Sequence, residues 1–212
     1  MNVSVIRSRR KTLSIEVNPD ASVVVRAPLA ASRQSIRSFI TQKQQWIIRH
    51  QRLMRRRLRS MRPRVFEAGE RFLFMGERYP LVLVERGAFP LVLEGEFRLI
   101  KYYREQAGQI FRRWYQQKAR RILAERVKEY AQVMGVEEPR VTITSPRHRW
   151  GSCNPNGRLC FNWQLIMAPP RVIDYVAVHE LMHLKIDNHS RRFWRAVERV
   201  IPDYEECRRW LR

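Results

Sequence analysis

The sequence predicts an α+β fold in two parts, and three observations carry that reading. Leu13 to Val25 alternates in strand fashion, and Phe66 to Ile100 reads as short strands with glycine-marked turns. From about Tyr102 to Met134 the apolar spacing becomes helical. Near the C-terminus an H-E-x-x-H run, His179-Glu180-Leu181-Met182-His183, sits inside an apolar stretch. A β-rich N-terminal subdomain with one helix and a basic stretch is therefore expected over 1–100, and a second, site-bearing subdomain over 101–212.

Leu13, Ile15 and Val17 alternate, Asn18-Pro19-Asp20 supplies a turn, and Val23-Val24-Val25 follows, so a β-hairpin is expected. Ser32 can cap a helix carrying Ile36, Phe39, Ile40, Trp46 and Ile47. That helix runs into the basic stretch Arg52 to Arg64. From Phe66 to Ile100, glycines at 69, 76, 87 and 95 separate short strands. A long amphipathic helix is expected from Tyr102 to Met134, with Ile110, Trp114, Ile122 and Val127 inward and Gly135 just past its end. Val141–Thr144 and Leu159–Leu165 read as strands. Pro169-Pro170 can open a helix over Ile173, Val176, Ala177, Val178 and Leu181.

On that last helix, positions i and i+4 share a face, so His179 and His183 can turn their imidazoles toward one metal ion. Glu180 stands beside them as a candidate general base toward an attacking water. A plain core helix with two backbone-bonded histidines is the alternative. Against it stand the intervening glutamate, a further histidine at 189, and the cost of burying so many polar groups without a partner. A zinc-dependent hydrolase is the reading that results.

His179, His183 and His189 are spaced H-x3-H-x5-H, the span of the metzincin motif. The glycine of that motif is replaced by Ile186, and no methionine follows His189 to make the Met-turn, so the chain is not a metzincin. A left-handed turn at Asp187-Asn188 is expected to swing His189 back toward the metal. Ser190 can cap a further helix whose Phe193, Trp194, Val197 and Val200 pack beneath the site. Glu198, Asp203, Glu205 and Glu206 are rival third ligands; imidazole suits zinc and His189 lies nearest.

Arg149-Trp150-Gly151-Ser152-Cys153, Phe161-Asn162-Trp163, Leu165-Ile166, Tyr175-Val176, His179 to Leu184, Asn188-His189-Ser190 and Phe193-Trp194 resemble the YgjP-like metallopeptidase family. The N-terminal half is similar to that family's opening pattern through Arg7 to Leu13, Val25-Arg26-Ala27-Pro28, Lys43 and Trp46-Ile47. More distantly, the chain resembles SprT-like and WLM metallopeptidases. The resemblance implies a compact α+β, zincin-like metallopeptidase domain, with His179, Glu180, His183 and His189 at its centre. The implied substrate is a peptide or protein of unspecified sequence.

Several further readings concern the surroundings of that centre. Leu159–Leu165 is the expected substrate-pairing strand. His148 and Arg149 are candidate oxyanion or substrate contacts. Trp150 and Trp163 read as core. Cys153 reads as a buried thiol in a tight turn, because Cys153, Cys160 and Cys207 match no zinc-ribbon spacing.

The formal net charge is +22, from 42 Lys and Arg against 20 Asp and Glu. Such an excess favours polyanionic neighbours, with sequence-independent nucleic-acid binding the expected form. Arg52, Arg55, Arg56, Arg57 and Arg59 could lie along one helix to make that contact. Two other readings stay open: a metal-dependent nucleotide phosphohydrolase, and a basic nucleic-acid-associated module with a structural zinc. The odd cysteine count, the lack of an apolar leader and the lack of any apolar run of membrane-spanning length make a cytoplasmic, membrane-free location the expectation.

Overall fold

A computed structural model of the chain describes residues 3–60, 64–146 and 149–211, leaving aside the side chains of 57–60. It is a mixed α+β structure, with six helices and three small sheets among the described residues. Two compact units are present, residues 1–64 and 65–212.

In the first unit, β1 (Val3–Ser8), β2 (Ser14–Val17) and β3 (Val23–Pro28) form a sheet in the order β1-β3-β2. The β2–β3 hairpin is as expected, its turn held by Asp20 Oδ1, which accepts from Ser22 N (2.9 Å) and Ser22 Oγ (2.7 Å). Strand β1, parallel to β3, was not foreseen. Its side chains are almost all exposed, so its sequence has no alternation to show. Ser32 Oγ caps α1 (Arg33–Gln42) by accepting from Ser35 N at 3.0 Å. The single helix expected there is broken at Lys43, and α2 (Gln44–Ser60) follows. Val25, Ala27 and Ile36 form this unit's core.

In the second unit, β4 (Arg71–Phe74), β5 (Glu77–Val84), β6 (Leu91–Leu93) and β7 (Phe97–Ile100) pair in the order β4-β5-β7-β6. The boundary drawn at 100/101 falls inside this unit. Phe97 packs 5.1 Å from Phe111 and 5.0 Å from Trp114, so the sheet shares one core with the helix after it. A 3-10 turn over Lys101–Gln106 leads into α3 (Ala107–Met134), which ends where Gly135 takes φ +60°, the left-handed cap its sequence announces.

The third sheet sets the site. β8 (Val141–Thr144), β9 (Gly151–Cys153) and β10 (Leu159–Asn162) lie in the order β8-β10-β9, with β10 parallel to β8 and antiparallel to β9. The expected strand through Leu165 stops at Asn162, whose side-chain oxygen accepts from Gln164 N and starts a 3-10 turn, Trp163–Met167. The helices α4 (Pro170–Met182), α5 (Arg191–Val200) and α6 (Tyr204–Trp210) complete the unit.

The entry of α4 is fixed from two sides. Pro170 occupies its first turn, where a missing N–H costs nothing. The β4–β5 turn docks on the preceding segment, with Met75 N donating to Ile166 O (2.9 Å) and Gly76 N to Met167 O (3.1 Å). Gly76 has φ +85°, and a Cβ there would stand 3.0 Å from Pro169 Cα, so the turn needs glycine for both conformation and approach.

Candidate metal centre

Helix α4 is buried on nearly every side through Val172, Ile173, Ala177, Val178 and Leu181. The valine, isoleucine and leucine side chains each contribute about 1.5–3 kcal/mol on burial, which offsets holding polar groups on the same helix away from water. Helix α4 ends at Met182, earlier than the Asp187-Asn188 end expected from sequence, with His183 as the C-cap. One further turn follows, in which Leu184 N donates to Leu181 O and Ile186 N to Met182 O. Asn188 is absent from the positive-φ residues, so the anticipated left-handed turn does not form. Its side chain closes the turn instead, Oδ1 accepting from Ser190 N at 3.2 Å. Ser190 then caps α5, Oγ accepting from Phe193 N.

This chain path brings His189 back over α4. His189 Nε2 and His179 Nε2 are 2.9 Å apart, and one ligand-type atom from each of His179, His183 and His189 lies within 4.8 Å of the others. His183 Nδ1 is 3.2 Å from Ile186 O; a carbonyl can only accept, so Nδ1 carries the proton and Nε2 keeps its lone pair for the cluster. Burial, then His183, His189 and the Arg208 charge, push His179 down to about 3. Burial, His183 and Arg208 lower His189 as well. Neutral imidazoles are what a metal requires, and the buried His179 Nδ1 has no hydrogen-bond partner among the described residues. The donor set fits a cation such as zinc. Two of the rival acids are engaged elsewhere, Asp203 and Glu206 each lying 3.2 Å from Arg171 Nη1.

An aromatic wall holds the third histidine. Phe193 is fully buried with its ring 5.0, 4.7 and 4.8 Å from those of His179, His183 and His189. Trp194 stacks on His189 (5.5 Å, 25°) and on Tyr204 (5.3 Å, 18°), and the Arg208 guanidinium lies 4.8 Å from its centroid. Phe193, Trp194 and Val197 were expected beneath the site. Tyr204 and Arg208 were missed, because an Arg–Trp–His stack joining two helices leaves no periodic trace in the sequence.

Glu180 is 6% exposed. Burial raises its carboxyl to about 7, while the Cys153 N–H and the Arg149 charge pull the other way. Gly151 is the cradle for this side chain. A Cβ on Gly151 would lie 2.6 Å from Glu180 Oε1 and 2.7 Å from its Cγ. Gly151→Ala is therefore expected to displace the carboxylate, lowering turnover by about a hundredfold with metal content unchanged. Metal analysis beside a rate measurement checks this; an unchanged rate would remove Gly151 from the positioning of Glu180.

The histidines and Glu180 open into a cavity lined also by Arg149, Ser152, Asn154 and Asp187. Arg149 is exposed at its rim; His148 lies outside the described residues. Cys153 is half-buried on β9 and lines the cavity, rather than being a buried thiol in a tight turn. Burial, then the Glu180 and Asp187 charges, raise that thiol, opposite to what a nucleophile needs. Trp150 and Trp163 pack against the core as expected. The substrate-strand expectation is corrected: β10 is central, paired on both edges, whereas β9 is the edge strand facing the cavity.

Three converging imidazoles beside a buried carboxylate are a donor set of the metallohydrolase kind. The sequence matches the YgjP-like metallopeptidase domain over residues 11–212, and the chain belongs to the YgjP-like family. Membership makes it a hydrolase of the metal-dependent peptidase class, with a peptide or protein as substrate. Among solved structures, the metallopeptidase zymogen of Pyrococcus abyssi abylysin is similar at 24% identity and a TM-score of 0.38, over 40% of this chain and 87% of that one. No curated protein matches the chain. No helix among the described residues is long and apolar enough to cross a membrane.

Proposed function

We propose that the chain is a zinc metallopeptidase in which His179, His183 and His189 hold the metal and Glu180 is the general base. The observation that carries this reading is the convergence of three imidazoles beside a buried glutamate in one open cavity. Zinc bound there would supply a Lewis acid that polarises the scissile carbonyl and acidifies water. Glu180 takes the proton of the attacking water and returns it to the leaving amine, a task suited to a carboxyl raised to about 7. The Cys153 N–H, bonded to that carboxylate, keeps it oriented.

Antiparallel pairing with β10 points the main-chain groups of Ser152 and Asn154 inward and those of Gly151 and Cys153 outward. An extended peptide docking on β9 would meet the free N–H and C=O of Gly151 and the C=O of Cys153. Arg149, at the rim, can stabilise the oxyanion. Among the described residues, Arg149 is the one Lys or Arg lining this cavity, against acidic Asp187 and Glu180, which suits an amide better than a nucleotide polyphosphate. A cytoplasmic location agrees with the three free cysteines.

His189→Ala tests the ligand set. Zinc affinity, measured by chelator competition, should fall by more than the roughly 10–100-fold that loss of an outer hydrogen-bond partner costs. Unchanged affinity would return the third position to an acidic residue.

A further inference from the structure

The charge of this chain is unevenly held. Residues 1–64 carry sixteen Lys and Arg but only Glu16 and Asp20 as acids, and no acidic residue occurs from 21 to 64. Helix α2 sits in that acid-free stretch with two distinct faces. Its inner face holds buried Ile47 and Gln51, whose Nε2 donates to Ala21 O at 2.8 Å across the β2–β3 turn. Its outer face carries Trp46, Arg49, Arg52, Leu53 and Arg56, all exposed and together lining a shallow groove. These positions follow i, i+3 and i+7 spacing, so the cations form one stripe with an indole at its start.

Trp46 is 41% exposed, an unusual state for an indole. Its ring stacks on His50 at 3.9 Å and 26°, and His50 Nδ1 donates to Trp46 O at 2.9 Å. A rigid aromatic platform beside a row of guanidinium groups is what stacks an unpaired base while tracking its phosphates. A base pair inside a duplex offers no free face for it. A membrane is a poorer fit, because the groove's apolar residues, Trp46, Ile48 and Leu53, are interleaved with Arg49, Arg52 and Arg56, and Ile47 is already buried.

We infer that the outer face of α2 is a binding surface for single-stranded nucleic acid, read by stacking and charge rather than by base sequence. Arg57 and Arg59, expected from sequence to join this stripe, lie outside the described side chains. The surface is independent of the proposed peptidase chemistry.

The test is fluorescence anisotropy of the full chain with a labelled uridine oligomer, the matching uridine–adenosine duplex, and anionic phosphatidylserine vesicles as competitor, across a salt series. Trp46→Ala should weaken single-strand binding roughly tenfold, leave its salt slope unchanged and spare the duplex. The triple variant Arg49→Ala, Arg52→Ala, Arg56→Ala should flatten the slope of log affinity against log salt by about 2, from about 0.7 per lost contact. Metal content should be unchanged in both variants. No binding at low salt, equal losses on duplex and single strand in Trp46→Ala, or displacement by vesicles that itself depends on Trp46 would each overturn the assignment.

Discussion

Glu180→Gln is expected to keep its metal and lower peptide hydrolysis by roughly 10²–10⁴-fold, the contribution of a positioned general base. The amide has nearly the volume of the carboxylate, so the tight contact with Gly151 and the position beside Cys153 N–H are preserved. What is lost is the ability to accept a proton at neutral pH. Burial also makes the change structurally easy, since a neutral amide avoids the penalty that raises this carboxyl to about 7. Parallel zinc analysis and rate measurements check the outcome. A rate near that of the unaltered protein would take Glu180 out of the chemistry and leave the histidine cluster a structural site.

His179→Ala and His183→Ala should abolish both activity and stoichiometric zinc, because each removes one of the three proposed ligands. The two variants should differ in collateral damage. His179 is half-buried with Tyr175, Phe193 and Trp194 rings packed 5.8, 5.0 and 5.7 Å away, so alanine leaves a cavity and lowers thermal stability. His183 also ties Ile186 O, so its loss should loosen the turn leading to His189. Elemental analysis after zinc reconstitution, with a melting curve for each variant, reads both effects. Retention of a full equivalent of zinc by either variant would exclude that histidine as a ligand.

The elements with strong local chemistry were legible in the sequence. The hairpin at Asn18–Asp20, the Ser32 and Ser190 caps, the Gly135 stop and the Pro170 start all announce themselves through residues with few conformational choices. The i, i+4 histidines on an apolar helix were legible for the same reason. Long-range pairing was not. Nothing local shows that β1 joins β3 in parallel, or that β9 rather than β10 takes the sheet edge. The Gly151–Glu180 contact links residues 29 positions apart and depends on a missing side chain, which no periodicity records. The return of His189 was expected from a left-handed Asn188, whereas α4 ends earlier, at Met182, and Asn188 turns the chain through a side-chain hydrogen bond to Ser190 N.

The zinc-peptidase assignment is tested most directly by incubating the zinc-reconstituted full chain with a proteome-derived peptide pool and reading new termini by mass spectrometry. Chelator-treated protein and Glu180→Gln run alongside. New termini should appear with the zinc-loaded protein and vanish in both controls. An intact pool from protein shown to carry zinc, or equal cleavage by Glu180→Gln, would contradict it.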